Sequence, residues 1–103
     1  MSTDNIGYTQ MIGLWVRDQA GYAEYRANMT PILHRYGGEF GTDLEVSRVL
    51  KPAGEELNRI FTIGFPSRAV RDAFFADPAY LAVRAQHFEP AVSRVTRLGE
   101  WET

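Results

Sequence analysis

Tyr8–Val16 reads YTQMIGLWV. Taken as a strand, one face carries Tyr8, Gln10, Ile12, Leu14 and Val16, and the other carries Thr9, Met11, Gly13 and Trp15. Both faces hold large apolar groups, so the segment reads as a strand buried on two sides and central in its sheet. Arg59–Phe65, RIFTIGF, reads the same way. Between these runs, Asp18 is placed to cap a helix. In that helix Tyr22, Tyr25, Met29, Ile32, Leu33 and Tyr36 form one apolar stripe at about 100° per residue. Pro31 lies opposite the stripe and is expected to bend the helix around the core without ending it. Gly37 and Gly38 stop it.

Phe40–Leu50 follows as a mixed strand, marked as an edge by Asp43, Glu45, Ser47 and Arg48. The loop KPAGEELN leads into Arg59–Phe65. Ser67 caps a helix carrying Val70, Ala73 and Phe74. Asp77-Pro78 restarts a helix through about Phe88, where Pro90 makes continuation unfavourable. Val92–Trp101 closes the chain as a strand. The order strand, helix, strand, strand, helix, strand predicts an α+β, ferredoxin-like split βαβ sandwich with a four-stranded antiparallel sheet, its first and third strands central. Helices can cover only one face of that sheet. The other apolar face predicts a second copy of the chain, a homodimer.

The chain has 103 residues, the size of one domain spanning 1–103. Its polar start, residues 1–7 (MSTDNIG), reads as a flexible N-terminus. Hydrophobic residues at 45% and charged residues at 23% argue against disorder. Cysteine is absent, which excludes a thiol nucleophile, a disulfide framework and a cysteine metal site. Two histidines exclude a three-histidine zinc site. The only lysine, Lys51, sits beside Pro52 in a loop, a poor place for a Schiff base. A net charge of −2 provides no general field for nucleic acid or an anionic membrane. No apolar run approaches the roughly 18 residues that span a bilayer, and no basic-then-apolar leader opens the chain, so the expected location is the cytoplasm. Gly37, Gly38 and Gly41 make no dinucleotide fingerprint, no Walker sequence occurs, and no G-x-S-x-G elbow surrounds a serine. The expectation is therefore no metal, haem, flavin or nicotinamide.

Tyr80, Arg84 and His87, spaced four and three apart, share one helical face that borders the apolar stripe of Leu81, Ala85 and Phe88. A phenol, a guanidinium and an imidazole at the mouth of an apolar cleft can bind an anion and move a proton. His87 is the expected proton carrier, because an imidazole titrates near neutral pH. Arg84 is expected to hold a carboxylate or enolate. Tyr25 and Arg26 approach from the first helix. Gly13 and Gly64 are mid-strand positions that something needs close to, read here as close-packed helix, with room left on the sheet side of the site. Trp15 and Trp101 read as dimer anchors or pocket walls, Trp15 being carried as a substrate contact. His34 lies about 140° from its stripe and reads as a solvated surface residue.

The stretches YAEYRANMTPILHRYGGEF and NRIFTIGFPSRAVRDAFFADPAYLAV resemble family thirteen-thirty of the domains of unknown function. Tyr25, Tyr36-Gly37-Gly38, Phe65-Pro66-Ser67 and Asp77-Pro78-x-Tyr80 carry the likeness, which runs from about Met11 to Val95. That family lies in the dimeric α/β-barrel superfamily. The resemblance implies a homodimer whose sheets face each other, with a cleft between sheet and helices in each protomer. The superfamily is similar to cofactor-independent monooxygenases, lactone isomerases, polyketide cyclases and haem enzymes, and none of their catalytic signatures transfers residue by residue. The expected function is a homodimeric small-molecule-binding protein. The alternative is a cofactor-independent monooxygenase or isomerase acting on a small aromatic or enolisable substrate.

Overall fold

β1 (Tyr8–Val16) and β3 (Arg59–Phe65) form where the two-faced apolar runs predict them, and they are the central pair. The computed structural model describes residues 5–51 and 56–103. Its sheet has the order β2-β3-β1-β4, every pairing antiparallel, with β2 at Glu39–Glu45 and β4 at Val92–Glu102. α1 (Gln19–Arg35) joins β1 to β2, and α2 (Arg68–Ala76) with α3 (Pro78–Val83) leads from β3 towards β4. This is the ferredoxin-like α+β arrangement.

The caps are local and follow the sequence. Asp18 accepts from the Gly21 N–H at 3.0 Å, Ser67 from Val70 at 3.2 Å and Asp77 from Ala79 at 2.7 Å. Gly37, at φ 77°, takes the left-handed position that ends α1. Pro31 sits inside α1 on its exposed side, and the helix runs on to Arg35.

β2 is shorter than the expected Phe40–Leu50. Its ladder ends at Glu45 opposite Arg59, where β3 begins, and one further bond, from the Val46 N–H to the Asn58 carbonyl at 3.0 Å, closes it. Asn58 closes that corner. Its side chain donates to the Val16 carbonyl at 2.8 Å and accepts from the Val16 N–H at 2.7 Å. Of the loop KPAGEELN, residues 52–55 lie outside the described residues, as do residues 1–4 of the expected flexible start. Gly7 is tied into the sheet, donating to the Phe65 carbonyl at 2.9 Å and accepting from the Thr103 N–H at 3.0 Å.

The second helical segment departs from expectation. After α3 the chain makes one π turn, Arg84–Phe88, in which the Glu89 N–H reaches back to the Arg84 carbonyl, and then one further turn, α4 (Glu89–Ala91). Pro90 therefore does not end the helix. It has no N–H for the carbonyl four residues earlier, and its ring would crowd that carbonyl in a regular helix. The wide turn just ahead of it removes that demand.

The core lies between the helices and one face of the sheet. Tyr8, Leu14 and Val16 of β1 and Ile63 and Phe65 of β3 meet Tyr22, Met29 and Leu33 of α1 and Phe74 of α2, all buried. The opposite face is covered by no helix among the described residues, and Ile6 and Leu57 reach over part of it, at Gly64 and Gly13. It carries Met11, Trp15 and Ile60, half-buried, and Leu44, Leu98 and Trp101, each more than 40% exposed.

Candidate ligand-binding cleft

Between the helices and the sheet, from Phe40 of β2 across to Val95 of β4, the packing leaves a cleft of about 700 Å³. Its floor is Ile12 and Leu14 of β1, Phe61 and Ile63 of β3, and Val95 and Arg97 of β4. Tyr25 and Met29 of α1 line it from above, with Arg71, Asp72, Phe75 and Ala76 of α2, Tyr80 of α3, and Arg84 and Phe88 of the π turn.

Two polar clusters face this largely apolar space. In the first, the Tyr25 and Tyr80 hydroxyls are hydrogen-bonded at 2.9 Å and Arg84 Nη1 donates to the Tyr80 oxygen at 3.2 Å. Both phenols are buried, and the Arg84 guanidinium lies 4.5 Å from the centre of the Phe88 ring. In the second, buried Gln10 Oε1 accepts from Arg71 Nη1 and lies 3.0 Å from the Tyr8 hydroxyl, whose one proton is shared between Gln10 and the Glu100 carboxylate. Arg71 Nε lies 2.8 Å from Asp72 Oδ1, but its N–H is not directed at that oxygen. The contact is therefore an ion pair and the buried Nε–H donates to nothing. Among the described residues no three His, Asp or Glu side chains cluster as metal ligands.

Burial pushes the Tyr25 hydroxyl far above the ordinary phenol range, with the Tyr80 hydroxyl adding to the shift, and burial also raises Tyr22. The folded protein thus holds protons that the unfolded chain releases near pH 10. Stability should be unaffected below about that pH and should fall as pH rises past it. Phenolate absorbance from Tyr22 and Tyr25 should then develop together with loss of the far-ultraviolet circular dichroism. Ionisation of all five tyrosines in a protein still folded would contradict this.

The structure brings together Tyr25, Tyr80 and Arg84 and leaves His87, Trp15 and Arg26 off the lining. His87 is displaced by the π turn. Three residues beyond Arg84 fall further short of a full circle in a wide turn than in an α-helix, so Phe88 points into the cleft and His87, half-buried, does not. Trp15 alternates with Leu14 and so belongs to the helix-free face. Arg26 is held elsewhere: it donates to the Tyr22 hydroxyl at 2.8 Å, pairs with Asp43 at 3.3 Å and lies 3.9 Å over the Phe40 ring. Asp43 is shared with Arg59 at 2.8 Å. Hydrogen bonding from Arg59, with the charge of Arg26, holds the Asp43 carboxyl below the usual range.

Gly13 and Gly64 also face away from the cleft, and no helix packs on them. A Cβ on Gly13 would come within 2.6 Å of Leu57, and one on Gly64 within 2.8 Å of Ile6. Their small size makes room for Leu57 and Ile6, which fold over part of the helix-free face. His34 is exposed, as its position opposite the stripe predicts.

Sequence reasoning missed Gln10, Arg71 and Arg97. A signal existed for Gln10, the one polar residue but Tyr8's hydroxyl on the helix-facing side of β1, where an unpartnered amide would be costly. Its partner Arg71 lies 61 positions away.

The fold recurs in solved structures of low identity. A protein of unknown function from Rhodopseudomonas palustris is 22% identical, with a TM-score of 0.78, over 94% of this chain and 82% of that one. A dimeric protein of unknown function from Bacteroides fragilis, with a ferredoxin-like fold, is 11% identical with a TM-score of 0.63, over 93% of this chain and 95% of that one. A Nitrosomonas europaea protein provisionally named an antibiotic biosynthesis monooxygenase is 13% identical with a TM-score of 0.64, over 93% of this chain and 88% of that one. No curated protein matches the chain. Residues 10–97 match the model of a family described as a domain of unknown function, DUF1330.

Proposed function

This chain belongs to the DUF1330 family of domains of unknown function, and from that premise, which supplies no chemistry, we propose that it is a homodimeric small-molecule-binding protein whose ligand occupies the cleft between sheet and helices. The observation that carries the reading is a space of about 700 Å³ with apolar walls and a few converging polar groups, among them Tyr25, Tyr80 and Arg84. Ligand sites have that composition and that size. Catalysis is less well supported. No histidine lines the cleft, and its one carboxylate, Asp72, is 65% exposed at the rim, so a buried general base is missing from the lining. The monooxygenase name of the Nitrosomonas europaea protein comes at 13% identity, where fold alone is shared. The second copy is supported by the helix-free apolar face and by the dimeric Bacteroides fragilis protein of the same fold.

The cleft reading is tested with a thermal-shift screen of small aromatic acids, alcohols and amides. A ligand at a hundred times its dissociation constant stabilises the folded state by about 2.7 kcal/mol. Ala76 lines the cleft yet is exposed at the end of α2, so Ala76→Trp can fill the space without disturbing the core. Hits should shift the native protein and leave Ala76→Trp unshifted. Hits that stabilise both equally, or a screen with none, would refute the assignment.

A further inference from the structure

The polar groups of the cleft are almost all donors. Gln10 Oε1 is already engaged by Tyr8 and Arg71. Arg71 can only donate, so the amide oxygen must face it and the Gln10 –NH₂ group is left without an acceptor. Arg71 itself uses one N–H on Gln10. Its buried Nε–H donates to nothing, and its side chain is only 15% exposed. In the tyrosine cluster two hydroxyls have two protons, and the bond between them uses one. Whichever phenol donates in that bond, the other keeps a proton to give. Arg84 takes a lone pair of Tyr80 and so adds to the excess of donors. Arg97 brings a third guanidinium to the lining. Against these stand Asp72, largely in solvent, and, outside the lining, Glu100, which is already taken up by the Tyr8 hydroxyl and Arg68.

Buried donors without acceptors are destabilising, and charge-assisted bonds from guanidinium to an oxyanion are the strong ones. We infer that the cleft takes an organic carboxylate or enolate carried on an apolar, aromatic-sized body. The anionic oxygens take the donors of Arg71 and Gln10, where the orphaned buried Nε–H lies, and the body lies against Ile12, Phe61 and Phe88. The inference rests on the reading of the cleft as a ligand site and narrows it to one class. Neutral ligands that bring donors of their own meet none of the demand.

Calorimetry with a matched set tests it: naphthoate, naphthamide and acetate at neutral pH and one fixed low salt concentration. Naphthoate should bind at least about tenfold more tightly than naphthamide, the size of one charge-assisted bond. Acetate should bind far more weakly than naphthoate. Arg71→Met should abolish the preference for naphthoate over naphthamide. Arg97 is exposed, so Arg97→Met should fold normally and still lower naphthoate affinity several-fold. Equal binding of naphthoate and naphthamide overturns the oxyanion class and leaves the cleft as a ligand site. Acetate equal to naphthoate overturns the apolar body. Binding of none of the three to the native protein, in a screen where other ligands shift it, overturns the class. If no ligand of any kind shifts it, the cleft reading itself fails.

Discussion

Phe74→Ala should lower folding stability by about 3–5 kcal/mol. Phe74 is fully buried on α2, and its ring centre lies 4.5 Å from that of Tyr80, 4.9 Å from Phe75, 5.7 Å from Phe65 and 5.8 Å from Tyr36. These rings tie α2, α3, β3 and the end of α1 into one cluster. Truncation removes the transfer energy of the ring and leaves a void that rigid aromatic neighbours cannot close. A domain of this size is ordinarily stable by about 5–15 kcal/mol, so the variant should lie close to the limit of folding. Urea unfolding measures the loss, and Phe74→Leu should keep a good part of it back. A loss below about 1 kcal/mol for the alanine variant would mean that the cluster is not packed as described.

Met11→Glu should convert the proposed dimer to monomer without unfolding the chain. Met11 lies mid-strand on the helix-free face, opposite Thr62 of β3 and Gly99 of β4. If two copies bury this face against each other, the two introduced carboxylates lie in a desolvated interface without a cation provided for them. An uncompensated buried charge costs about 3–5 kcal/mol, which is roughly a hundred- to several-thousandfold in dissociation constant. The core lies on the other side of the sheet, so circular dichroism should be unchanged. Sedimentation at micromolar concentration should give twice the chain mass for the native protein and once for the variant. A native monomer refutes the homodimer, and a variant that stays dimeric moves the interface to another surface.

The reach of the sequence is clearest at the central strands. Tyr8–Val16 and Arg59–Phe65 are apolar on both faces, and period-two alternation is a property of the strand alone, so their central places and the ferredoxin-like order were legible before any packing was known. The caps at Asp18, Ser67 and Asp77 were legible for the same reason, each joining groups two or three residues apart. The Tyr25–Tyr80–Arg84 cluster was half legible. Helical spacing put Tyr80 and Arg84 on one face, but only the docking of α1 brought Tyr25 to within 2.9 Å of Tyr80 across 55 positions.

What the tertiary structure alone decided depends on groups far apart in the chain or on small changes of helical pitch. One π turn ahead of Pro90 aims Phe88 and not His87 into the cleft, and no pattern of residue types distinguishes that turn from an α-helix. Both faces of β1 and β3 are apolar, so alternation could say that Gly13 and Trp15 share a face, but the register that puts Gly64 on it too, and which face the helices cover, came from the fold. The donor excess of the cleft came from the meeting of Gln10 with Arg71, a contact set by the sheet and α2 together. Local sequence dictates which backbone forms and which side chains want burial. Which side chains then meet is decided by long-range packing, and the chemistry of this cleft is made of such meetings.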